Sequence, residues 1–356
     1  MSSKSPAGTP PRVALHRPAR IDLAVLRWRA RRARRNGFTP AVIPYTGYGS
    51  TSWVRVLGRV LLTKGPVKNT TEPAGSRGWR SFTSVPVEDA SVQVSVGGSV
   101  HDIQADRTGI IDVVVEVDLQ PGWHDIGLSS EGSEESVAQM YVVDPASKFG
   151  VVSDIDDTVM VTALPRPLLA AWHTFVVNEH ARSTTPGMPV LYERLTAQHP
   201  GAPVIYLSTG AWNVAPTLTR FLSRNLYPPG ALLLTEWGPT ADRWFRSGQE
   251  HKRTSLERLA KEFPDLKWLL IGDDGQHDPE IYGDFVSRHP EHVAAVCIRQ
   301  LSPGEAVLAG SRLRDHTVDN ISNVPWLLAA DGAAFASKLD RLNLLPDSPQ
   351  QPEAEG

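Results

Sequence analysis

Two carboxylates, Asp154 and Asp156, follow an apolar run that begins at Val151, with the hydroxyl of Thr158 two residues further on. Side chains at positions i and i+2 of a strand face the same way, so both carboxylates can reach one reacting centre as the chain leaves a strand. One carboxylate can attack while the other handles protons. This spacing suits metal-assisted phosphoryl transfer, although an isolated Asp-x-Asp is more commonly a solvated turn after a buried strand.

A second segment, Pro203-Val-Ile-Tyr-Leu-Ser-Thr-Gly-Ala-Trp-Asn213, predicts a buried strand that ends in polar residues. It delivers Ser208 and Thr209 to the strand tip, just before Gly210 and a predicted helix. Hydroxyl groups and exposed backbone N–H groups at a helix start can hold phosphoryl oxygens. Taken alone, a Ser or Thr in this place is usually a helix cap.

A third segment places Lys252 just ahead of a helix with apolar residues at Leu256 and Leu259. A lysine there can neutralise the charge that grows on a transferring phosphoryl group. Spacing alone does not single out Lys252, because the same segment carries three further basic residues, His251, Arg253 and Arg258.

A fourth segment, Trp268-Leu-Leu-Ile-Gly-Asp-Asp-Gly-Gln-His-Asp-Pro-Glu280, ends a buried strand in a group of acids. Asp273 and Asp274 follow the strand directly, and Asp278 comes after a short loop. Carboxylate oxygens gathered at a strand end suit Mg²⁺, which prefers oxygen ligands and keeps water and substrate phosphate. A transition-metal site at His277 is disfavoured, because it is one histidine among acids.

Taken together, the order Asp-x-Asp-x-Thr, Ser, Lys, Gly-Asp-Asp resembles the haloacid-dehalogenase superfamily of phosphatases over about 150 residues, from Val151 to Cys297. The longer strings narrow the resemblance to the catalytic domain of the actin-patch-protein family of phosphatidate phosphatases, distant relatives of the lipins. These strings are Ser153-Asp-Ile-Asp-Asp-Thr158, Tyr206-Leu-Ser-Thr-Gly-Ala-Trp212 and Ile271-Gly-Asp-Asp-Gly-Gln-His-Asp-Pro-Glu-Ile-Tyr282. The upstream Pro44-Tyr-Thr-Gly-Tyr-Gly49 and Gly58-Arg-Val60 are similar to the bacterial members of that group.

The resemblance implies a role for each matched residue. Asp154 would be the nucleophile that forms an aspartyl-phosphate, and Asp156 would protonate the leaving alkoxide and later activate water. Ser208 and Lys252 would bind phosphoryl oxygens. Mg²⁺ would be held by Asp154, Asp273 and the carbonyl of Asp156, with Asp278 supporting the metal shell. The substrate-binding set would include Thr158, Thr209, Gly210 and Arg182, whereas Asp157 and Asp274 are interpreted as surplus carboxylates.

The composition, 41% hydrophobic and 21% charged over 356 residues, predicts a globular protein with two domains. No apolar run approaches the roughly 20 residues that span a bilayer, and a secretory signal is not evident, so we expect a cytoplasmic protein. The single cysteine, Cys297, has no partner for a disulfide or a zinc cluster and is predicted to be a buried strand residue.

The residues up to Pro40 are strongly basic. They carry ten Lys and Arg against one Asp, which gives +9 and leaves −12 for the remainder of a chain of net charge −3. After a disordered tail at residues 1–18, Ile21 to Asn36 predict a short Arg-rich helix. Its arginines could contact the anionic inner face of a membrane. Alternatively, its Leu and Trp residues pack on the protein body; nucleic acid is disfavoured, because no aromatic-interleaved basic patch accompanies the helix.

The pattern divides the rest of the chain into a small all-β sandwich at residues 38–146, an α/β domain at 147–344 and a disordered tail at 345–356. Alternating apolar residues and a Gly97-Gly98 turn predict the sandwich, with strands at Trp53 to Thr63, Val85 to Val96, Ile110 to Asp118 and Val137 to Val143.

In the second domain, single apolar strands separated by helices predict a haloacid-dehalogenase-like (Rossmannoid) parallel sheet with helices on both faces. Ligands bind beyond the carboxyl ends of such strands, where the acidic motifs fall. The predicted strands are Gly150 to Ser153, Pro203 to Leu207, Ala231 to Thr235, Leu266 to Ile271 and Val293 to Ile298.

The segment from Met160 to Leu195 lies where an insertion would cover the site. It could serve as a lid or acyl-chain platform, or as a helix packed on the sheet, and Arg166 and Arg182 could contact an anionic headgroup. The sequence thus favours a Mg²⁺-dependent phosphatase that converts phosphatidate to diacylglycerol. The alternatives are a phosphatase for soluble monoesters or phosphoproteins, and a non-catalytic membrane adaptor.

Overall fold

The computed structural model describes six parts of the chain: residues 27–64, 85–161, 183–235, 241–302, 304–305 and 323–345, without the side chains of 241–247. The predicted tail at 1–18 lies outside these residues, as do Arg166 and Arg182 of the insertion. The predicted tail at 345–356 also lies outside them except for its first residue, Leu345, which is fully buried in the core and therefore belongs to the folded domain. The described residues form an N-terminal β-domain and a C-terminal α/β domain.

The β-domain begins with a helix at residues 27–35 (α1) and continues with eight strands. The strands are β1 (Thr39–Ser50), β2 (Trp53–Thr63), β3 (Val85–Pro86), β4 (Ser91–Val96), β5 (Ser99–Gln104), β6 (Ile110–Glu116), β7 (Gly122–Ser130) and β8 (Ser136–Val142).

One mixed sheet joins all eight strands in the order β3-β2-β1-β8-β7-β4-β5, with β6 also paired to β2. The two-sheet sandwich is therefore corrected to one continuous sheet, because the end of β1 pairs with β8 in parallel at Gly47 to Gly49. Alternate residues of β4, Val92, Val94 and Val96, are buried in a core shared with β1, β2, β6, β7 and β8. The predicted Gly97-Gly98 hairpin is confirmed, since Val96 pairs with Ser99 across that turn.

The α/β domain has six strands and five α-helices within the described residues. The strands are β9 (Phe149–Ser153), β10 (Val204–Ala211), β11 (Ala231–Thr235), β12 (Lys267–Asp273), β13 (Val293–Arg299) and β14 (Trp326–Ala329). The helices are α2 (Met188–Gln198), α3 (Ala215–Arg224), α4 (Ala241–Glu262), α5 (Asp278–Arg288) and α6 (Gly332–Arg341).

The six strands form an all-parallel sheet in the order β11-β10-β9-β12-β13-β14. The chain moves outward from β9 through α2 and α3 to β11, and returns through α4 to β12 and α5 to β13. Because such crossovers are right-handed, α2 and α3 cover one face while α4 and α5 cover the other. The direction of winding reverses between β9 and β12, where ligands bind in doubly wound sheets.

The sequence predicted the central strands well, because they are continuous apolar runs. All residues of β9 and β11 are buried, and Cys297 of β13 is buried as expected. Four strands were missed, and three of them, β5, β7 and β14, are short or half exposed. The fourth, β1, carries Pro40 and Pro44, which are rare in strands.

The two domains share buried contacts. Tyr45, Tyr48 and Leu57 of the β-domain belong to the same apolar cluster as the strands of the α/β sheet. Ile110 and Val143 join them there. The domains therefore pack through a common core rather than through a solvated linker.

Gly150 of β9 leaves room for a tryptophan side chain on the neighbouring strand β12. A Cβ at this position would lie 2.5 Å from Cζ3 of Trp268, a fully buried residue of β12. We expect Gly150→Ala to lower the free energy of unfolding by about 1–3 kcal/mol, because the packed indole must move. Urea unfolding measures the change.

Gly283→Ala is the matched control, because a Cβ at this position of α5 meets no atom within 4 Å. In a helix, this substitution should raise the free energy of unfolding by about 0.5–1 kcal/mol. Equal destabilisation by the two substitutions would contradict the packing argument.

Candidate active site at the end of the parallel sheet

The carboxyl ends of β9 and β12 bring the first and fourth motifs together. The two strands pair in parallel as far as Ser153 and Ile271, and the N–H of Asp154 donates to the Ile271 carbonyl at 2.8 Å. Asp273 ends β12, two residues beyond this pairing. Asp154 and Asp273, which are far apart in sequence, thus lie at the ends of neighbouring strands, at the point where the winding of the sheet reverses.

Three carboxylates lie close together there. One oxygen from each of Asp154, Asp273 and Asp278 lies within 4.8 Å of the others. Lys252 of α4 closes the group, because its Nζ donates to Oδ1 of Asp154 at 2.6 Å and to Oδ1 of Asp278 at 2.5 Å. The four side chains are almost fully buried. With all three acids ionised, a single ammonium leaves this cluster with two uncompensated negative charges.

Burial and mutual repulsion set the electrostatics of the cluster. Burial raises the pKa of Asp154 well above its usual range, and the neighbouring Asp278 and Asp156 raise it further, against the opposing effect of Lys252. Burial, followed by Asp278 and Asp154, likewise raises the pKa of Asp273. Burial lowers the pKa of Lys252, but the two carboxylates outweigh it and the net pKa is raised. The lysine therefore stays charged, and the acids favour a further positive charge.

The donor set fits a hard divalent cation. Oδ2 of Asp154 and Oδ2 of Asp273 are buried without a hydrogen-bond partner among the described residues. Buried carboxylate oxygens without partners are costly unless a cation or a proton satisfies them. Mg²⁺ prefers such oxygens and keeps water and phosphate as its remaining ligands. Asp154, Asp273 and Asp278 could therefore hold Mg²⁺.

The second motif lies on the other side of Asp154, at the end of β10. Ser208 is fully buried, and its Oγ donates to Oδ2 of Asp156 at 3.3 Å while it accepts the N–H of Gly210 at 2.9 Å. Asp156 thus joins the site through Ser208, and its carboxylate stands outside the group of three acids. Thr209 is half-buried next to it, within the last residues of β10. This end of the strand offers a hydroxyl beside a carboxylate that can carry a proton.

Of two further predicted substrate-binding residues, the structure describes one. Thr158 is buried near the Asp154 loop, and its Oγ1 has no hydrogen-bond partner in the described part of the chain. Arg182 lies outside the described residues, so its predicted contact with substrate stays a prediction.

Arg299, the last residue of β13, supports the site and was not identified from the sequence. Its buried guanidinium donates to the carbonyls of Asp157 at 2.8 Å and Ala330 at 3.2 Å, and to the carboxylate of Glu305 at 2.7 Å. Asp157 has a left-handed backbone, with φ of 58°. Arg299 therefore stabilises the turn that carries Asp154 and Asp156; the only sequence signal was a charged residue directly after the apolar run of β13.

Two other side chains hold the strand ends by hydrogen bonds to backbone carbonyls. The hydroxyl of Thr235 donates to the carbonyl of Thr209 at 2.9 Å, and that of Tyr282 donates to the carbonyl of Ile271 at 3.0 Å. Neither residue stood out in the sequence, because a Thr at a strand end and a Tyr in a helix are common.

Comparison with known proteins places the site within a matched segment. Residues 149–300 match the family model of the catalytic domain of phosphatidate phosphatase APP1. Phosphatidate phosphatase APP1 of Saccharomyces cerevisiae is 26% identical over 201 residues, which are 54% of this chain and 34% of that protein. An uncharacterized protein of Schizosaccharomyces pombe is 25% identical over 174 residues, 48% of this chain and 28% of that protein. The chain thus matches about a third of the length of these relatives.

Solved structures offer only a distant likeness. A carbohydrate acetylesterase from Xanthomonas citri aligns over 76% of this chain and 73% of its own, at 10% identity and a TM-score of 0.27. A score this low supports no conclusion on fold or activity.

Asp273→Asn should separate cation binding from folding. Adding Mg²⁺ at a hundredfold excess over its Kd should stabilise the wild-type protein by about 2.7 kcal/mol, and the variant should lose this gain. Without the cation, the variant should be the more stable protein, because one of three crowded carboxylates has become neutral. Thermal unfolding with and without Mg²⁺ measures both effects.

Asp274→Asn is the matched control, since Oδ1 of Asp274 accepts the N–H of Leu301 at 2.9 Å and the residue is not part of the three-acid group. It should keep the full response to Mg²⁺. A normal response in Asp273→Asn would show that the cation binds elsewhere.

Proposed function

We propose that the protein is a Mg²⁺-dependent phosphatidate phosphatase, because residues 149–300 match the family model of the catalytic domain of phosphatidate phosphatase APP1. It would hydrolyse the phosphomonoester of phosphatidate and release diacylglycerol and inorganic phosphate. The observation that carries the proposal is the buried group of Asp154, Asp273, Asp278 and Lys252 at the end of the sheet, within the matched segment.

Asp154 is the proposed nucleophile. Its Oδ1 accepts a hydrogen bond from Lys252 at 2.6 Å, so the carboxylate is oriented at the carboxyl end of the sheet. Attack on phosphorus forms an aspartyl-phosphate and expels the diacylglycerol alkoxide. Passing through a carboxyl phosphate replaces one difficult hydrolysis by two easier steps.

Asp156 is the proposed acid and base. Its carboxylate lies two residues from the nucleophile and accepts a hydrogen bond from Ser208. In the first step Asp156 is protonated and gives its proton to the leaving alkoxide; the carboxylate that remains takes a proton, in the second step, from the water that attacks the aspartyl-phosphate. The second step returns Asp154 and releases inorganic phosphate.

Ser208 and Lys252 would bind the phosphoryl oxygens. Lys252 is charged and buried, so its attraction for a transferring phosphoryl group is weakly screened. Bound Mg²⁺ would neutralise the acids and polarise the phosphoryl group, with Asp154, Asp273 and Asp278 as its protein ligands. The order of motifs along the strands supports assigning this domain to the haloacid-dehalogenase superfamily.

The surface of α1 supports action on a lipid at the inner face of a membrane. Ala33 packs on the β-domain core, but the side chain of Trp28 is 62% exposed, which is contrary to the alternative that Trp28 packs on the protein body. The leucines of that alternative lie outside the described residues. The same helix exposes five arginines, Arg29, Arg31, Arg32, Arg34 and Arg35. An exposed Trp beside arginines suits the interface of an anionic bilayer. Within the described residues, none of the helices has the length and apolar character needed to cross a bilayer.

Asp154→Asn should abolish phosphate release from phosphatidate in mixed micelles, because an amide neither attacks phosphorus nor ligates Mg²⁺ well. Asp156→Asn should lower kcat by about 10²–10⁴-fold, the usual contribution of a general acid. EDTA should abolish wild-type activity, and Mg²⁺ should restore it. Asp265→Asn is the control, because this aspartate is exposed and far from the site in the sheet.

The same assay with water-soluble phosphomonoesters tests the substrate. We expect phosphatidate to have a higher kcat/KM than the soluble esters. A clear preference for soluble esters would indicate a phosphatase for soluble metabolites or phosphoproteins instead of a lipid phosphatase. Full activity of Asp154→Asn on every ester would end the phosphatase proposal.

The exposed arginines of α1 should bind anionic vesicles. Replacing all five with Gln should abolish flotation with vesicles that contain phosphatidate, since each arginine near such a surface contributes about 1 kcal/mol. Activity on a soluble ester should persist. Lys148→Gln with Lys267→Gln, two exposed lysines elsewhere, is the charge control. Unchanged flotation of the arginine variant would show that α1 is not the membrane contact.

A further inference from the structure

The Pro44-Tyr-Thr-Gly-Tyr-Gly49 segment of β1 lies at the boundary between the two domains, outside the catalytic machinery proposed above. Tyr45 is buried, and its ring stacks on Trp212 with centroids 4.8 Å apart and planes 14° apart. Its hydroxyl donates to the carbonyl of Trp212 at 3.2 Å. Trp212 follows β10 directly and stands four residues after Ser208.

Tyr48 of the same segment holds the end of α4. Its hydroxyl donates to Oε2 of Glu262 at 2.7 Å. Nε and Nη2 of Arg55 in β2 donate to the other oxygen of Glu262, at 3.1 and 2.9 Å. Arg258, one turn earlier in α4, pairs with Asp112 of β6 at 3.2 Å. The β-domain therefore holds the last two turns of this helix by charge-assisted bonds.

The two glycines of the segment lie where neighbouring atoms of the β-domain leave no room for a side chain. A Cβ on Gly47 would lie 2.5 Å from the carbonyl oxygen of Arg55 and from Cε of Met140. A Cβ on Gly49 would lie 2.2 Å from the carbonyl oxygen of Trp53. The two tyrosines contact the α/β domain, while the glycines let β1 fit closely against its neighbours in the β-domain.

We infer that the β-domain positions the residues of the catalytic centre. Tyr45 holds the segment that follows Ser208, and Tyr48 with Arg55 holds the helix that carries Lys252. Lys252 and Glu262 are ten residues apart on one continuous helix, a distance of about 15 Å along its axis. A helix moves as a rigid rod over this length, so holding its end sets the position of the lysine.

This inference rests on the proposed phosphoryl transfer for the roles of Ser208 and Lys252. A shift of about 1 Å in a residue that orients substrate can cost about a hundredfold in rate. Tyr45 and Glu262 touch neither substrate nor the reacting atoms, so they act through the residues they hold. Loosening them should raise KM and lower kcat without changing which groups perform the chemistry.

The main test compares Tyr45→Leu with Phe38→Leu in the full chain. Phe38 is the matched control, because it lies in the same domain and its half-buried ring packs on the core of the β-domain. Amide hydrogen exchange should speed up by about tenfold at residues 209–214 in Tyr45→Leu, which corresponds to a modest local loosening. Exchange there should be unchanged in Phe38→Leu. Tyr45→Phe, which keeps the stacked ring, should show a smaller increase and serves if the Leu variant does not fold.

A second comparison uses two glutamates of α4. Glu262→Gln weakens the hold of the β-domain, whereas Glu257→Gln changes a residue that pairs with Arg288 and His289 of its own domain. Only Glu262→Gln should raise exchange near Lys252 and lower kcat/KM, by about tenfold. Equal exchange in both members of each pair would overturn the inference. Exchange needs no turnover, so it decides this inference even if the wild-type protein hydrolyses no ester.

Discussion

The site depends on burying three carboxylates against one lysine. Asp154, Asp273 and Asp278 lie almost without solvent, and Lys252 bonds two of them. Replacing water around three negative charges by one ammonium is unfavourable, and the raised pKa values of Asp154 and Asp273 express that cost. A protein keeps such an arrangement when a bound cation offsets it. The surrounding hydrogen bonds to backbone carbonyls then serve to hold the acids in place while that charge is unbalanced.

The topology of the sheet explains why these residues meet. Adjacent parallel strands whose connections leave in opposite directions open a crevice at their carboxyl ends. Here those strands are β9 and β12, and Asp154 and Asp273 are the residues that emerge there. Ser208 comes from the next strand on one side, and Lys252 reaches in from α4, the return crossover between the two halves. The fold thus brings together, in one cluster, four residues that are spread over more than a hundred positions of the sequence.

Much of this arrangement could be predicted from the sequence, because each central strand is an apolar run with polar residues at one end. Asp154 and Asp273 were placed correctly at strand ends for that reason, whereas β10 continues three residues beyond Ser208, to Ala211. Arg299, Thr235 and Tyr282 could not be found, since they act through backbone carbonyls that leave no pattern in the residue types. The continuous sheet of the β-domain was missed for a similar reason. The pairing of β1 with β8 spans only three residues and depends on where distant strands meet.

Lys252 links the resting site to the proposed reaction. Its ammonium lies 2.6 Å from Oδ1 of Asp154, which orients the carboxylate of this proposed nucleophile and favours its ionised form. A phosphoryl dianion and a divalent cation entering together bring no net charge, so they can join the cluster without adding to its imbalance. A cation held by the acids would balance their charge, and Lys252 could then direct a hydrogen bond towards the phosphoryl oxygens. In the inferred arrangement, the bonds from the β-domain to the far end of α4 would keep Lys252 in position while it changes partners.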